Sequence, residues 1–317
     1  MRVTDNATLR MVVASLQQQQ EKIYNLQEQV SSGMKINSPS DDPVSAQQAL
    51  DIKVLIAQND QYSRNIESGK TWLEQMDSSL SSMNSTLVRV KELATQMSNG
   101  TYDAAARQNA ANEIEQLKAQ LISLGNTQIG GKYVFGGYVT DQPPFTTTDG
   151  VPTATDTAGH YTGTTDSIII QIDQQSTIAI NYDGGKLLRG GTPPGSSGTD
   201  VIGVPNDPNN LHGLNGLITA LNNNDVSGIT NAITDVTSSI QQIQAAQSEV
   251  GARENRLETA SEKLTGTKDY LTKALSGKED ADYTQVLSDI AKQQTIYQAT
   301  LQATSIFSKI SLLDYMK

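Results

Sequence analysis

Hydrophobic residues near both ends of the chain recur every three or four positions, which is the spacing of one face of an α-helix. Toward the amino end this spacing predicts a helix over residues 4–32, ended by Gly33. Its apolar stripe consists of Leu9, Val12, Leu16, Ile23, Leu26 and Val30. Toward the carboxyl end the stripe consists of Tyr283, Leu287, Ile290, Tyr297, Leu301, Ile306, Phe307, Ile310 and Leu313. Because an amphipathic helix needs a partner for its apolar face, we predict that the two ends pair with each other and then with copies of the chain.

The middle of the chain carries two long heptad patterns. The first repeats every seven residues from Ile52 to Ala94, with a companion set from Leu55 to Met97, and these positions are apolar except for Asn59 and Gly69. A third helix over residues 103–126 is expected to fold back antiparallel on it, because the connection is short. The second pattern runs from Ile229 to Leu271, after a short helix over residues 211–221, and residues 277–281 break it before the last helix. These patterns predict coiled-coil packing.

Between the two long patterns the composition changes to Thr, Gly, Pro and Asp. Residues 132–138 alternate as in a strand, and further strands are predicted at 167–172 and 177–182. The pair Asp183 and Gly184 is typical of a hairpin turn and predicts another strand at 186–188. This region is therefore expected to be a small β-rich insert.

The predicted fold is mainly α: an elongated antiparallel coiled-coil or helical-bundle stalk with a small β-rich insert and terminal helices. Three domains are expected. Residues 1–43 and 281–317 form a terminal helical assembly domain, residues 44–135 and 211–280 form a bundle of long helices, and residues 136–210 form the outer insert. An insert that leaves the stalk and returns to it places the long helices side by side, and this brings the two chain ends together.

Two adjacent carboxylates, Asp41 and Asp42, precede Pro43. Asp accepts hydrogen bonds from the free NH groups of a helix start, and Pro is favoured at the first helical position. We therefore interpret both Asp residues as helix caps and not as metal ligands or an acid–base pair.

Charge and composition narrow the possible functions. The 317 residues carry 23 basic and 34 acidic side chains, a net charge of -11, which disfavours nucleic acid and anionic membranes as partners. Residues 1–50 and 281–317 together hold 7 basic and 8 acidic side chains, so the ends can crowd together without strong repulsion. No basic-then-apolar signal sequence and no run long enough for a membrane span is present, so either cytoplasmic residence or export without a cleaved signal is expected.

Candidate chemistry is sparse. The chain has no Cys, which excludes disulfides and zinc–thiolate sites. Its two histidines, His160 and His212, lack the spacing of a zinc hydrolase, and its Gly-rich stretches lack the Lys-Ser/Thr ending of a phosphate loop. We predict no catalytic residues, no metal and no cofactor.

Several short motifs are more specific. They are the start at residues 1–4, the loop at 32–43, residues 89–94 followed by 99–101, the run 131–138 with Pro144 and Phe145, residues 253–258, and the ending 311–315. With these motifs the chain resembles the flagellin superfamily and, within it, the members at the junction of hook and filament. The resemblance covers roughly residues 1–145 and 211–317 and is weak over the insert. Met34 departs from the family, which more often has a basic residue there.

The resemblance implies a bacterial extracellular structural protein, exported unfolded through the flagellar type III apparatus. It implies a ring of copies between the first hook-associated protein on the hook side and flagellin on the filament side. It also implies terminal helices that are disordered before assembly, and an export chaperone that holds the carboxyl end. Nucleic acid and membrane are not expected partners.

Three other functions stay open. The chain could be a bulk filament flagellin, it could carry an enzymatic or adhesive module in residues 140–210, or it could be a cytoplasmic coiled-coil scaffold. A protein of the hook–filament junction is favoured over a filament flagellin by the ending at Leu313, Asp314 and Tyr315 and by the loop from Pro39 to Pro43.

Overall fold

Long helices dominate the fold, as the heptad patterns predict. The computed structural model describes the backbone of residues 2–145, 161–190, 199–203 and 213–315, and the side chains of these residues except 2–6, 8, 9 and 306–315. In chain order the helices are α1 (Arg2–Ser32), α2 (Pro43–Met97), α3 (Ala104–Gly125), α4 (Gly184–Leu188), α5 (Gly213–Asn222), α6 (Val226–Glu279) and α7 (Tyr283–Tyr315). The strands are β1 (Gln128–Ile129), β2 (Lys132–Tyr133), β3 (Ile169–Asp173) and β4 (Ser176–Ala179).

The described chain forms two compact units. Unit 1 consists of residues 1–60 and 265–317, and unit 2 consists of residues 61–264, so α2 and α6 contribute to both. Unit 1 reaches further along these two helices than the predicted assembly domain does. The division into three domains stays a prediction.

Unit 2 holds the hydrophobic core. The heptad positions of α2 are fully buried at Leu73, Leu80 and Leu87, and their companions Met76 and Met83 are buried as well. On α6 the predicted positions Ile229, Val236, Ile243, Val250 and Leu257 are each at most 1% exposed. A hydrogen bond between Gln244 and Asn84 aligns the two helices. The long-range apolar contacts of the bundle thus follow the sequence periodicity.

Helix α3 folds back on α2, as predicted from the short connection. Arg89 of α2 pairs with Glu113 of α3 at 2.8 Å, and Ser79 of α2 donates to Thr127, just beyond α3, at 3.2 Å. Asp103 caps α3, because its side chain accepts from the backbone NH of Ala106 at 2.8 Å. The two helices therefore run antiparallel within unit 2.

The turn between α2 and α3 is closed by a buried arginine. Arg107 is 3% exposed, and its guanidinium donates to the carbonyl oxygens of Met97 and Asn99 at 3.0 Å each and to the side-chain oxygen of Asn224. The carbonyl groups at the end of a helix carry partial negative charge and have no partner within the helix. Arg107 satisfies them and ties the loop before α6 to this end of the bundle.

The insert contains a β-hairpin, whose strands β3 and β4 lie at the predicted positions 167–172 and 177–182, but the second predicted hairpin is absent from the described residues. Strands β3 and β4 pair antiparallel, with Ile170 opposite Ile178, and the turn is at residues 174–175. The predicted hairpin turn at Asp183 and Gly184 is wrong, as is the strand at 186–188. Asp183 instead caps α4 by accepting from the NH of Gly185 at 2.8 Å, and α4 buries Leu187 and Leu188 together.

The predicted strand at 132–138 is also shorter than expected. Lys132 and Tyr133 pair with β1, the NH of Val134 donates to the carbonyl of Thr127 at 3.0 Å, and the chain then bends. Gly136 and Gly137 account for this bend: Gly137 has φ +64, and a Cβ on Gly136 would lie 2.1 Å from the carbonyl oxygen of Val139. A backbone this close to itself cannot continue as a strand.

Candidate assembly surface

The two terminal helices pair with each other in unit 1. The Gln19 side chain of α1 donates to the Thr300 hydroxyl of α7 at 3.4 Å, whereas Gly33, just after α1, meets Ala281, just before α7. Because the residue numbers run in opposite directions, the helices are antiparallel. The pairing predicted between the chain ends is present.

Residues at heptad spacing form the α1–α7 contact. Each of them is buried or half-buried: on α1 they are Val12, Leu16, Gln19, Ile23, Leu26 and Val30, and on α7 they are Val286, Ile290, Gln293, Tyr297, Thr300 and Thr304. Sequence reasoning missed Val286, which is 7% exposed, and the four polar contact residues on α7 and α1. The signal was available, since Val286, Ile290, Gln293 and Tyr297 have the alternating spacing of four and three residues that marks a coiled-coil contact.

The predicted stripe on α7 is split by this contact. Ile290 and Tyr297 face α1 within it, but Tyr283, Leu287 and Leu301 are 51%, 54% and 43% exposed. The apolar face of α7 is therefore wider than one helix covers. The predicted assembly residues Leu9, Ile306, Phe307, Ile310 and Leu313 lie outside the described side chains.

Unit 1 as a whole exposes apolar surface. Among the described residues, thirteen of the seventeen exposed large hydrophobic side chains belong to unit 1, and Ala49 and Val286 are its only fully buried hydrophobic residues. Leu55, assigned by the heptad pattern to a coiled-coil position, is 49% exposed. The exposed apolar residues on the start of α2, which sequence reasoning missed, include Val44, Leu50 and Val54. Monomeric proteins rarely leave so much apolar surface uncovered, so such surface indicates an interaction site.

A short antiparallel pairing joins the inner ends of α1 and α7. The NH of Lys35 donates to the carbonyl of Glu279 at 2.6 Å, the NH of Ala281 donates to the carbonyl of Gly33 at 2.9 Å, and Met34 pairs with Asp280 between them. We call residues 33–35 and 279–281 the junction. It fixes the register of the two terminal helices where they meet.

A charged pair and a glycine support the junction. The Lys53 ammonium lies 2.5 Å from the Glu279 carboxylate, and this ties α2 to the end of α6. Gly33 has φ +75, a conformation that favours glycine, and a Cβ there would lie 2.9 Å from the Tyr283 hydroxyl. The position at which the first helix was predicted to end is thus one that a larger residue fits poorly.

The two aspartates before Pro43 have different roles. Asp42 Oδ1 accepts from the NH groups of Val44 and Ser45 at 3.2 and 3.1 Å, as a cap of α2 does. Hydrogen bonding from the Ser45 side chain, and then from its NH, lowers the pKa of Asp42. Asp41 does not cap α2, since its carboxylate instead accepts from the NH groups of Asn37 and Ser38 at 3.1 and 2.8 Å and holds the loop.

The described residues contain no group of three or more His, Asp or Glu side chains placed to hold a metal ion. His160 and His212, which were considered as ligands, lie outside the described residues. No helix in the described part of the chain combines the length and the apolar character needed to cross a membrane.

Comparison with protein families identifies the class of protein. A model of the bacterial flagellin N-terminal helical region matches residues 3–140, and a model of the bacterial flagellin C-terminal helical region matches residues 233–316. These ranges cover well over half of the chain and include both terminal helices. The chain therefore belongs to the flagellin family.

Within this family the chain is similar to particular flagellar proteins. Flagellar hook-associated protein 3 of Escherichia coli strain K12 is 28% identical over 314 residues, with 92% of each chain covered. Flagellar hook-associated protein 3 of Salmonella typhimurium strain LT2 is 26% identical over 340 residues, with 99% of each chain covered. The crystal structure of Bacillus cereus FlgL has the same fold, with a TM-score of 0.55 and 21% identity, and the match covers 71% of this chain and 99% of that one.

Proposed function

We propose that the chain is a structural adaptor of the bacterial flagellum that joins the hook to the filament. The observation that carries the proposal is the apolar surface that the terminal helices leave exposed in a chain similar, over nearly its whole length, to flagellar hook-associated protein 3. Its work is to present matching surfaces to the subunits on either side. We propose no catalytic role.

The energy for assembly would come from closing this surface. Fully burying a Leu side chain contributes roughly 1.5–3 kcal/mol. Leu287 and Leu301 are 54% and 43% exposed, and Tyr24 is 63% exposed. Several half-buried side chains per copy therefore supply several kcal/mol at each contact. Because association itself costs several kcal/mol, we expect each copy to be held by contacts with several neighbours at once.

The proposed partners follow from this position in the flagellum. They are copies of the chain in a ring, the first hook-associated protein on the hook side, flagellin on the filament side, and a cytoplasmic export chaperone that holds the carboxyl end before export. The protein would act outside the cell, after export through the flagellar type III apparatus without a cleaved signal peptide.

A deletion strain tests the proposal. Cells that lack this chain are expected to make hooks that stay bare and to release unpolymerised flagellin into the medium, and the full chain supplied from a plasmid is expected to restore filaments. Filaments on the deletion strain would contradict the adaptor function. Purified filaments composed mainly of this chain would show instead that it is a bulk flagellin.

A further inference from the structure

The contact between the two long helices has a gap in unit 2. At one level of the heptad pattern α2 has Gly69, and a Cβ there would lie 3.4 Å from the Leu257 side chain of α6. The other heptad series of α6 has the polar residues Glu254 and Ser261 on either side of Leu257. Apolar side chains at such positions normally fill the space between two helices. The helices therefore need another element to complete their contact at this level.

The β3–β4 hairpin fills this gap. The methyl groups Cδ1 of Ile170 and Cγ2 of Ile180 lie 2.5 and 3.1 Å from the position that a Cβ on Gly69 would take. Ile172 and Ile178 are 5% and 4% exposed and belong to the same hydrophobic core. The hairpin thus supplies the apolar side chains that the two helices lack, and the glycine leaves room for them.

Side chains of both helices hold the edges of this hairpin. Asn65 of α2 donates to a backbone carbonyl oxygen of β3 at 2.9 Å. Arg253 of α6 donates to the carbonyl oxygen of Asn181, just after β4, at 2.5 Å. At the turn end, the Lys263 ammonium of α6 lies 2.7 Å from the Asp173 carboxylate. The hairpin therefore bridges α2 and α6, and we call residues 169–181 the strap.

The strap is lightly seated on the helices. A two-stranded hairpin is at best marginally stable by itself. An open groove of about 370 Å³ lies between the turn end of the strap and α6, with Ser176 on the strap side and Arg256 and Thr259 on the helix side. The ion pair of Lys263 and Asp173 beside this groove is exposed, so it contributes little. Lifting the strap therefore costs much less than unfolding unit 2.

We infer that the strap is a conformational device that opens and closes the α2–α6 contact at this level. When the strap is seated, its isoleucines complete the contact; when it lifts, residues 62–69 of α2 and 253–264 of α6 lose their common partner and part. The rest of unit 2 stays closed, because the heptad positions there are apolar on both helices, as at Leu87 and Ile240. Proteins open locally in cooperative segments of this kind. The inference concerns the single chain and does not depend on the proposed function.

Two pairs of matched substitutions test this device. Ile170→Ala removes the side chain that faces Gly69, whereas Ile169→Ala, at the neighbouring position, removes an exposed one. Arg253→Met removes the donor that holds the strap to α6, whereas Arg256→Met removes an exposed arginine of the same helix. The first member of each pair is a strap variant and the second is its control. Helix content checks that each full-length variant folds.

Amide hydrogen exchange of the single chain measures the local opening. We expect the two strap variants to raise exchange at least about fivefold in the strap and by the same factor in both helix segments, because each variant removes a partner of buried groups. Residues 80–94 serve as the reference and should stay within about twofold of the unmodified chain, as should every segment in the two controls. Faster exchange in the strap alone, an equal increase in residues 80–94, or no change in the strap variants would overturn the inference.

The absence of cysteine from the chain allows the separation of the helices to be measured directly. Nitroxide labels at Ser68→Cys on α2 and Glu262→Cys on α6, both exposed positions, report the distance between the two helices by pulsed electron paramagnetic resonance. The labelled chain with an unmodified strap is expected to give one main distance, and addition of Ile170→Ala is expected to populate a longer one. Addition of Ile169→Ala should leave the main distance unchanged. An unchanged distance with Ile170→Ala, or the same lengthening with Ile169→Ala, would overturn the inference.

Discussion

Replacement of Gly33 by alanine tests how far the junction controls the terminal helices. Gly33 has φ +75, and its carbonyl oxygen accepts a hydrogen bond from the NH of Ala281, so the substitution acts on the pairing that joins α1 to α7. A residue with a Cβ in this left-handed region costs about 1–2 kcal/mol. The new Cβ would also lie 2.9 Å from the Tyr283 hydroxyl, but this group is the far end of a flexible side chain and can move aside.

The expected result is a 5- to 30-fold increase, roughly, in the opening of the α1–α7 pair, since 1–2 kcal/mol corresponds to such a factor. Hydrogen exchange of the amides in residues 13–31 and 284–305 of the single chain measures it. Gly277→Ala is the matched control, because Gly277 lies in helix α6 of the same unit with open space around it, and alanine there should leave exchange unchanged or slow it. Gly33→Asn should fall between Gly33→Ala and the unmodified chain, because Asn tolerates this conformation. Unchanged exchange in Gly33→Ala would refute the reasoning, as would an equal increase in Gly277→Ala.

Three further substitutions test other parts of the account. Arg107→Met should lower the free energy of unfolding by about 3 kcal/mol in urea titrations, because it removes buried hydrogen bonds from a charged donor. Arg89→Met, at an exposed ion pair, should have little effect. Similar losses for the two variants would argue against the role of Arg107. Leu80→Ala should destabilise the single chain by about 2–5 kcal/mol, because Leu80 is buried. Leu287→Ala should leave the stability of the single chain unchanged and weaken its retention on hooks. Destabilisation of the single chain by Leu287→Ala would contradict the exposure of Leu287. Burial, together with the charges of Asp77 and Glu74, raises the pKa of Glu254, so the ionised carboxylate destabilises the fold above that pKa. Glu254→Gln should therefore raise the urea midpoint at pH 7 and lose this advantage in acid. A lower midpoint at pH 7 would contradict the assignment.

The heptad periodicity was sufficient to predict the long helices. In unit 2 the apolar positions of α2 and α6 face a shared core, so the spacing in the sequence corresponds directly to burial at residues such as Leu80 and Val250. In unit 1 the same spacing continues, but among the side chains that the structure describes there, Ala49 and Val286 are the only buried hydrophobic ones. Leu55 has the right position in the pattern and is 49% exposed, since periodicity identifies a face without saying what covers it.

The width of the face on α7 could not be predicted for a related reason. Nine apolar residues of α7 were assigned to one stripe, but a single partner helix covers only a narrow contact. The stripe residues that the structure describes therefore divide between that contact and the exposed surface. Choosing between Val286 and Leu287 as the contact residue requires the register with α1, which the junction sets through backbone hydrogen bonds. Backbone pairing of this kind leaves little mark on the sequence.

Polar anchors of the insert were also beyond sequence reasoning. The Gln242 side chain donates to the carbonyls of Leu187 and Thr199 and accepts from the NH of Thr199 at 2.9 Å, and Arg253 donates to the carbonyl of Asn181 at 2.5 Å. Both residues lie on α6 beside its apolar positions, where polar side chains ordinarily face solvent. Their partners are backbone groups of distant segments, whose placement no local pattern encodes.

Hydrogen exchange before and after assembly tests most directly whether neighbouring subunits complete the terminal helices. In the single chain, amides of residues 10–32 and 284–305 should exchange faster than those of residues 66–94, and on isolated hooks they should slow toward the rate of that core segment. Terminal segments that exchange as slowly as residues 66–94 in the single chain, or that exchange equally fast on hooks, would contradict the account.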